Sequence, residues 1–159
     1  QHGVRISPVY RAPNNPYVDK LIKKFRSLDG TLKSYPKSGR GLRDLMGALK
    51  DGGHIALLFD QKYNQGAALP FFDRPAMTST AFADLALRLQ CPVVPYTVTR
   101  LKGAGFRLKC EEPISLVNQD GTRKSSEDLA LEGNKFLEEW IVQNPSQWLW
   151  LHRRWGKNI

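Results

Sequence analysis

Hydrophobic residues recur along this chain at the spacing that places them on one face of an α-helix. Three such stripes are separated by polar stretches and turn residues, and each predicts an amphipathic helix. A fourth helix is predicted over residues 127–143, with Ser125 or Ser126 as its N-terminal cap. The stripes consist of Val18, Leu21, Ile22 and Phe25; Leu42, Leu45, Met46 and Leu49; and Phe82, Leu85, Ala86 and Leu89.

Capping and helix-breaking residues mark where the first three helices are expected to begin and end. An amide or hydroxyl side chain before a helix can accept a hydrogen bond from a free backbone N–H, and glycine ends helices readily. These signals are Asn15 and Pro16 before the first helix, Asp29-Gly30 after it, Gly52-Gly53 after the second, and Ser79 or Thr80 before the third.

Runs of β-branched and aromatic residues between the helices predict strands. We expect strands over residues 4–11, 54–59, 93–99 and 106–110, the last two joined by a glycine-rich turn at residues 102–105. Helices that alternate with strands predict an α/β layered fold with a mixed, mostly parallel sheet flanked by helices. The length of 159 residues and the absence of internal repeats suit a single domain, residues 1–159.

The stretch from residue 59 to residue 80 is the most informative for function. The predicted buried strand delivers Asp60 and Gln61 into a long loop that contains Gly66 and Arg74 and that ends at a Thr/Ser cluster. Enzymes of the α/β class place polar groups where a buried strand ends, because the strand holds the side chains and the loop leaves them reachable. The alternative is an ordinary strand–loop–helix connection.

The charge balance favours anionic partners. The chain has 24 Lys and Arg against 15 Asp and Glu, a formal charge of +9. Nucleic acid, acidic carrier proteins, phospholipid headgroups and phosphorylated glycolipid all fit this surplus. Cys91 and Cys110 are expected to be buried thiols, and the dispersed histidines predict no metal site.

Two further groups of residues carry open alternatives. Arg11 at the end of the first strand is either a surface arginine or a planar donor to phosphate or carboxylate. Asp60 either forms a turn or caps a helix, or it orients a base, holds an arginine in place or accepts a hydrogen bond from a substrate hydroxyl. The C-terminal segment suits single-stranded nucleic acid, a bilayer interface, or core packing with its arginines outside. This segment contains Trp148, Trp150, His152, Arg153, Arg154 and Trp155.

Five motifs in order resemble a known family, the late acyltransferases of lipid A biosynthesis, which transfer lauroyl and myristoyl chains. The resemblance runs from residue 4 to residue 155. The motifs are Val9-Tyr10-Arg11, then Phe59-Asp60-Gln61 with Gly66 and Leu69-Pro70-Phe71-Phe72, then Ala76-Met77-Thr78-Ser79-Thr80, then Val93-Val94-Pro95, and finally Pro145 to Trp155 with Gln147-Trp148 and His152-Arg153-Arg154-Trp155.

The resemblance implies the fold of glycerolipid acyltransferases and transfer of a fatty acyl chain from acyl carrier protein to a hydroxyl of a phosphorylated lipid A precursor. It implies work at the cytoplasmic face of the bacterial inner membrane, a membrane surface as partner, no cofactor and no nucleic acid. Arg11 and Asp60 would be catalytic. The implied substrate-binding residues are Gln61, Gly66, Arg74, Thr78, His152, Arg153 and Arg154.

One motif of the family is missing from the chain. Family members use a His followed, after four residues, by Asp or Glu, and none of His2, His54 and His152 fits this spacing. The motif would lie just upstream of Gln1, so we expect an N-terminally truncated, inactive chain that lacks the membrane helix and this pair. The alternative is a non-catalytic module that binds anionic lipid or carrier protein. Nucleic-acid binding is disfavoured, because the basic residues are spread along the chain.

Overall fold

The computed structural model describes residues 6–27, 33–36 and 39–156. Its contacts divide the chain into two compact units, Gln1–Leu58 and Phe59–Ile159, which we describe separately as unit 1 and unit 2.

Unit 1 contains a small parallel sheet. Its strands are β1 (Ile6–Tyr10), β2 (Tyr35–Pro36) and β3 (His54–Ala56), in the order β2-β1-β3. Both pairings are parallel, with Val9 opposite Tyr35 and Ser7 opposite Ile55. The sequence predicted a longer strand over residues 54–59, and the structure corrects this, because the ladder to β1 ends where Pro8 meets Ala56.

Two helices complete unit 1, α1 (Pro16–Arg26) and α2 (Gly39–Lys50). The predicted cap of α1 is confirmed, since the side-chain oxygen of Asn15 accepts a hydrogen bond of 2.9 Å from the backbone N–H of Tyr17. The expected stop at Asp29-Gly30 lies outside the described residues. After α2 the chain turns through Gly52 at a φ of 78°, a conformation that favours glycine.

Unit 2 begins with a feature that the sequence did not predict. The expected long loop contains an antiparallel hairpin of β4 (Ala67–Phe71) and β5 (Arg74–Thr78). Its two-residue turn places Phe72 and Asp73 at φ values of 49° and 56°, the left-handed pair that matches the twist of a hairpin. Arg74 is therefore a strand residue, and Thr78 ends a strand.

A second antiparallel hairpin pairs β6 (Tyr96–Arg100) with β7 (Phe106–Cys110), which confirms the predicted pair and its glycine-rich turn. All ten residues from 101 to 110 are exposed. The prediction of buried thiols is wrong, because Cys110 lies on this exposed strand and Cys91 is only partly buried.

Helix α3 (Ala81–Leu89) matches the third predicted stripe, and α4 (Ser126–Gln143) matches the helix predicted over residues 127–143. A 3₁₀ turn follows at Pro145–Gln147. Thr80 occupies the cap position of α3 without a capping hydrogen bond from its side chain. Ser125 caps α4 in a reciprocal arrangement with Asp128. The α/β class is thus confirmed, but in the described residues the sheets are one small parallel sheet and two antiparallel hairpins. The single mostly parallel sheet that we predicted is not seen there.

The core of unit 2 joins the β4–β5 hairpin, α4 and the C-terminal segment. Phe71, Ala76, Ile141 and Trp148 form its buried centre, and Trp155 packs against them. The indole N–H of Trp155 donates to the carbonyl oxygen of Phe71 over 3.1 Å. A second buried cluster joins α3 to α4 through Ala83, Leu87 and Leu129. No helix among the described residues is long and apolar enough to cross a membrane.

Candidate functional site

The polar centre of unit 2 is Arg154, whose exposed fraction is 0%. Its Nη1 donates to the carbonyl oxygen of Met77 over 3.0 Å, and its Nη2 donates to Thr78 Oγ1 over 2.8 Å. Nη2 also lies 3.3 Å from Asn134 Oδ1. The guanidinium therefore ties the C-terminal segment to the end of β5 and to α4.

Neutral oxygen atoms, rather than a carboxylate, accept the hydrogen bonds of this buried cation. The guanidinium carbon lies 4.9 Å from the centre of the Phe71 ring, which adds a cation–π contact. Burial lowers the pKa of Arg154, because water no longer solvates the charge, and the negative charge of Asp60 opposes that shift. Arg154 Nε is buried without a hydrogen-bond partner in the structure.

Thr78 and Asn134 complete this centre. Thr78 is also 0% exposed, and its hydroxyl donates to the carbonyl oxygen of Ala76 over 2.9 Å. The amide nitrogen of Asn134 donates to the carbonyl oxygen of Pro70 over 2.7 Å. Both Thr78 and Arg154 were expected to contact substrate, and one of the alternatives placed the arginines outside. The structure instead places these two side chains inside unit 2, bonded to the protein.

The loop over residues 59–66 presents Asp60 and Gln61 and is held at several points. The backbone N–H of Lys62 donates to His152 Nε2 over 2.9 Å, and that of Tyr63 donates to the Met77 carbonyl oxygen over 2.9 Å. Met77 thus accepts from both Tyr63 and Arg154. Asp60 is half-buried and Gln61 is exposed. We refer to residues 59–66 as the Asp60 loop.

Gly66 ends the Asp60 loop where no side chain fits. A Cβ atom there would lie 2.0 Å from the carbonyl oxygen of Thr78 and 3.1 Å from that of Tyr63. The N–H of Gly66 donates to the same Tyr63 oxygen over 2.8 Å. Gly66 therefore permits close packing of the loop on β5, and no described contact marks it as a direct ligand.

A basic concavity of about 350 Å³ opens on unit 2. Arg74 lies with its guanidinium carbon 5.5 Å from the centre of the Trp155 ring, and the neighbouring Arg153 is exposed. Trp150 is 54% exposed, so an indole face is available beside the arginines. The lining residues are Arg74, Trp150, His152, Arg153, Arg154, Trp155 and Gly156. Positive charge next to aromatic surface suits an amphiphilic anion.

Arg11 belongs to unit 1 and is exposed directly after β1. The preceding Tyr10 is buried and donates its hydroxyl proton to Asp19 over 3.1 Å, so the end of the strand is tied to α1. Arg11 thus projects from an anchored strand end, as the sequence predicted for its position.

Sequence reasoning missed Asn134 and Glu138. Glu138 accepts a hydrogen bond of 2.9 Å from the backbone N–H of Phe72 in the hairpin turn. A signal for Asn134 existed, since it falls at helical spacing between the buried residues Ala130 and Ile141. A polar residue in an apolar stripe needs a partner. Among the described residues, no group of three or more His, Cys, Asp or Glu side chains could hold a metal ion.

Together these features define a mixed α/β protein with a basic, tryptophan-lined concavity that His152 joins to a carboxylate-bearing loop. The chain belongs to the bacterial lipid A biosynthesis acyltransferase family, since the sequence model of that family matches residues 1–157. This confirms the resemblance inferred from the five motifs.

Curated relatives agree with the family match. The chain is 31% identical over 158 residues to the lipid A biosynthesis lauroyltransferase of Escherichia coli K12, an alignment that covers 92% of this chain and 47% of that protein. It is 30% identical over 149 residues to the palmitoleoyltransferase of the same strain, covering 90% and 47%. A Haemophilus influenzae lipid A biosynthesis acyltransferase is 28% identical over 155 residues, covering 92% and 46%. The chain spans about half the length of these relatives.

Proposed function

We propose that the gene product is an acyltransferase of lipid A biosynthesis. It would move a fatty acyl chain from acyl carrier protein to a hydroxyl of a phosphorylated lipid A precursor at the cytoplasmic face of the inner membrane. The observation that carries this proposal is the family match over nearly the whole chain. The basic, tryptophan-lined concavity supports it, because the acceptor combines phosphate groups with acyl chains.

In the proposed reaction the acceptor hydroxyl attacks the thioester carbonyl carbon. A carbon–oxygen bond forms, the carbon–sulfur bond breaks, and the carrier thiol leaves with a proton. Negative charge develops on the carbonyl oxygen, where a fixed cation such as Arg11 would stabilise the transition state. Asp60 would accept a hydrogen bond from the substrate hydroxyl or hold a cationic group in place. Residues 1–159 contain no His-x₄-Asp/Glu pair to act as general base.

Arg74 and Arg153 are the proposed phosphate contacts, since both are exposed arginines of the basic concavity. An arginine can donate two parallel hydrogen bonds to phosphate oxygens, which gives geometric specificity as well as charge. Trp150 would support the apolar part of the same ligand. Thr78 and Arg154 would serve this site indirectly, because both are bonded inside unit 2.

Substitution of the two proposed catalytic residues tests the assignment. We expect Arg11→Ala and Asp60→Ala, made in the full-length gene product, each to lower kcat/KM at least about tenfold, because each removes a charge to which the proposal gives a catalytic role. Arg107→Ala and Glu112→Ala, at exposed positions, are matched controls. Wild-type rates in both site variants would contradict the site assignment.

An assay of acyl transfer tests the function itself. The full-length gene product, given acyl carrier protein charged with a fatty acyl chain and a phosphorylated lipid A precursor, should form the acylated lipid. Residues 1–159 alone should not, because general-base catalysis typically supplies 10²–10⁴-fold. Transfer by residues 1–159 would refute their proposed inactivity. Binding of anionic lipid by the full-length product without transfer would favour the non-catalytic module, which the missing pair leaves as the second candidate.

A further inference from the structure

A hydrogen bond joins the C-terminal segment directly to the Asp60 loop. The backbone N–H of Lys62 donates to His152 Nε2 over 2.9 Å, across 90 positions of sequence. A backbone amide can only donate, so the nitrogen that it meets carries no proton. His152 is therefore in its neutral form with the proton on Nδ1. A doubly protonated imidazole has no free lone pair and could not accept this bond.

We propose that His152 is a positioning residue, which in its neutral form holds the Asp60 loop in place and which releases it on protonation. This inference rests on the proposed function, in which Asp60 acts at the site. It gives His152 a different role from the substrate contact implied by the family resemblance.

The bond is well placed to control the loop. Lys62 is two residues from Asp60 and one from Gln61. The next tie, from the N–H of Tyr63 to the carbonyl oxygen of Met77, leads to a strand that Arg154 holds. Residues 152–154 therefore fix the loop twice, once directly through the imidazole and once through Arg154 and β5. Of the two ties, the imidazole is nearer to Asp60, and protonation of an imidazole removes its hydrogen-bond acceptor.

Charged side chains surround His152 in the concavity. Arg74 from β5 and Arg153 and Arg154 from its own segment line the same concavity. The Asp60 loop carries Lys62 and Asp60, and the negative charge of Asp60 interacts electrostatically with Arg154. Protonation of His152 would add a further positive charge beside these arginines. A phosphate bound by Arg74 and Arg153 would offset part of the positive charge, so occupancy of the concavity and release of the loop are expected to be coupled.

Amide exchange measured on residues 1–159 tests whether the hydrogen bond from Lys62 to His152 anchors the loop, without any assay of activity. His152→Gln places an amide oxygen where Nε2 lies, His152→Asn is one bond too short to reach, and His152→Ala removes the acceptor. We expect exchange of the Lys62 amide to rise at least about tenfold in the Ala and Asn variants and to stay near the wild-type rate in the Gln variant. The amide of Leu129 inside α4 is the internal control for folding. Equal Lys62 exchange in wild type and His152→Ala would overturn the proposal.

Two further measurements test the proposal even if one variant folds poorly. The ¹⁵N shifts of wild-type His152 should show the proton on Nδ1 at neutral pH, and a proton on Nε2 would overturn the proposal. Exchange of the Lys62 amide, corrected for its intrinsic pH dependence, should accelerate as the pH falls through the range where imidazoles take up a proton. The Gln variant should lack this acceleration, and its persistence there would equally overturn the proposal.

Activity of the full-length gene product separates this inference from the proposed function. His152→Ala and His152→Asn should lower kcat more than they raise KM, and His152→Gln should recover most of the loss. If Lys62 exchange responds as expected but no form transfers an acyl chain, the proposed function fails and the anchor stands. If Asp60→Ala abolishes transfer while the exchange rate of the Lys62 amide is the same in wild type and in the His152 variants, the anchor fails and the function stands.

Discussion

Two adjacent arginines at the C-terminal end have opposite surroundings. Arg154 is wholly buried and bonded to Met77 and Thr78, whereas Arg153 is exposed. Loss of the buried guanidinium removes one donor from the Met77 carbonyl and one from the Thr78 hydroxyl, and it opens a cavity over Phe71. At the residue scale, therefore, two neighbours of the same type differ, because Arg154 holds unit 2 together and Arg153 is exposed in the basic concavity.

We expect Arg154→Met to lower the free energy of unfolding by about 2–4 kcal/mol, since the buried oxygens of Met77 and Thr78 each lose a charged donor. Arg153→Met should change it by less than about 0.5 kcal/mol, as surface substitutions usually do. Urea unfolding of both variants, followed by tryptophan fluorescence, measures the difference. Similar midpoints for the two would show that the buried hydrogen bonds contribute little.

Gly66 provides a second test at this scale. Gly66→Ala would place a methyl group 2.0 Å from the carbonyl oxygen of Thr78, so β5 or the Asp60 loop must move. We expect a loss of about 1–3 kcal/mol of stability, typical of an overpacked site. Gly105→Ala is the matched control, because its nearest neighbour would be 3.6 Å away. Thermal unfolding of the pair is the measurement, and equal melting temperatures would show that the loop adjusts freely.

At the scale of elements, the β4–β5 hairpin is built around an unfavourable turn. Two-residue hairpin turns favour Asn and Gly, yet this one has Phe72 and Asp73 in left-handed conformations. Glu138 on α4 accepts a hydrogen bond from the backbone N–H of Phe72. The centre of the Phe72 ring lies 5.0 Å from the centre of the Phe71 ring. Tertiary contacts thus stabilise a turn that its own residues disfavour.

The start of α4 offers a pH-dependent test. Asp128 accepts hydrogen bonds from the Ser125 hydroxyl over 2.6 Å and from its backbone N–H over 3.0 Å. These bonds lower the pKa of Asp128. A lowered pKa in the folded state means that the charged side chain stabilises the fold above the ordinary Asp range, near pH 4, and that this contribution is lost as the pH falls further.

The stability difference between wild type and Asp128→Asn should accordingly be present at neutral pH and shrink as the pH falls below about 4. In a Ser125→Ala background the same comparison should depend less on pH, because the hydroxyl donor is gone. Urea unfolding at several pH values measures both differences. Parallel pH curves for wild type and Asp128→Asn would contradict the role of the capping carboxylate.

At the scale of the whole molecule, the formal charge of +9 favours any anion, and local geometry must supply selectivity. Two features of unit 2 could do so: the basic concavity, and the exposed β6–β7 hairpin, which also carries Arg100, Lys102, Arg107 and Lys109. Only the concavity combines its arginines with buried hydrogen-bonded supports and an indole face. The proposed phosphate contacts therefore belong to the concavity rather than to the hairpin.

Inorganic pyrophosphate is a simple probe of this choice. We expect Arg74→Ala and Arg153→Ala each to weaken its binding by about tenfold at low salt, with a smaller difference at high ionic strength. Arg107→Ala on the hairpin removes the same charge and should have little effect. Isothermal titration at two salt concentrations is the measurement. Equal losses in all three variants would show that net charge, rather than the concavity, governs binding.

The sequence by itself determined the parts of this protein that depend on neighbouring residues. All four helices were predicted, three from an apolar stripe at helical spacing and the fourth from its serine cap, because such signals act within a few residues. The β6–β7 pair was predicted for the same reason, from a short turn between two apolar runs. The order of motifs also identified the family, which the match over residues 1–157 confirms.

Only the tertiary structure decided what depends on distant partners. The β4–β5 hairpin escaped prediction, because Glu138, 66 residues away, holds a turn without the usual turn residues. The burial of Arg154 follows from partners 77 and 76 residues earlier, and no local pattern separates it from Arg153. His152 lies 90 residues from the loop that it holds. Local spacing determines which elements form, whereas the assignment of each polar side chain to a support or a surface depends on long-range packing.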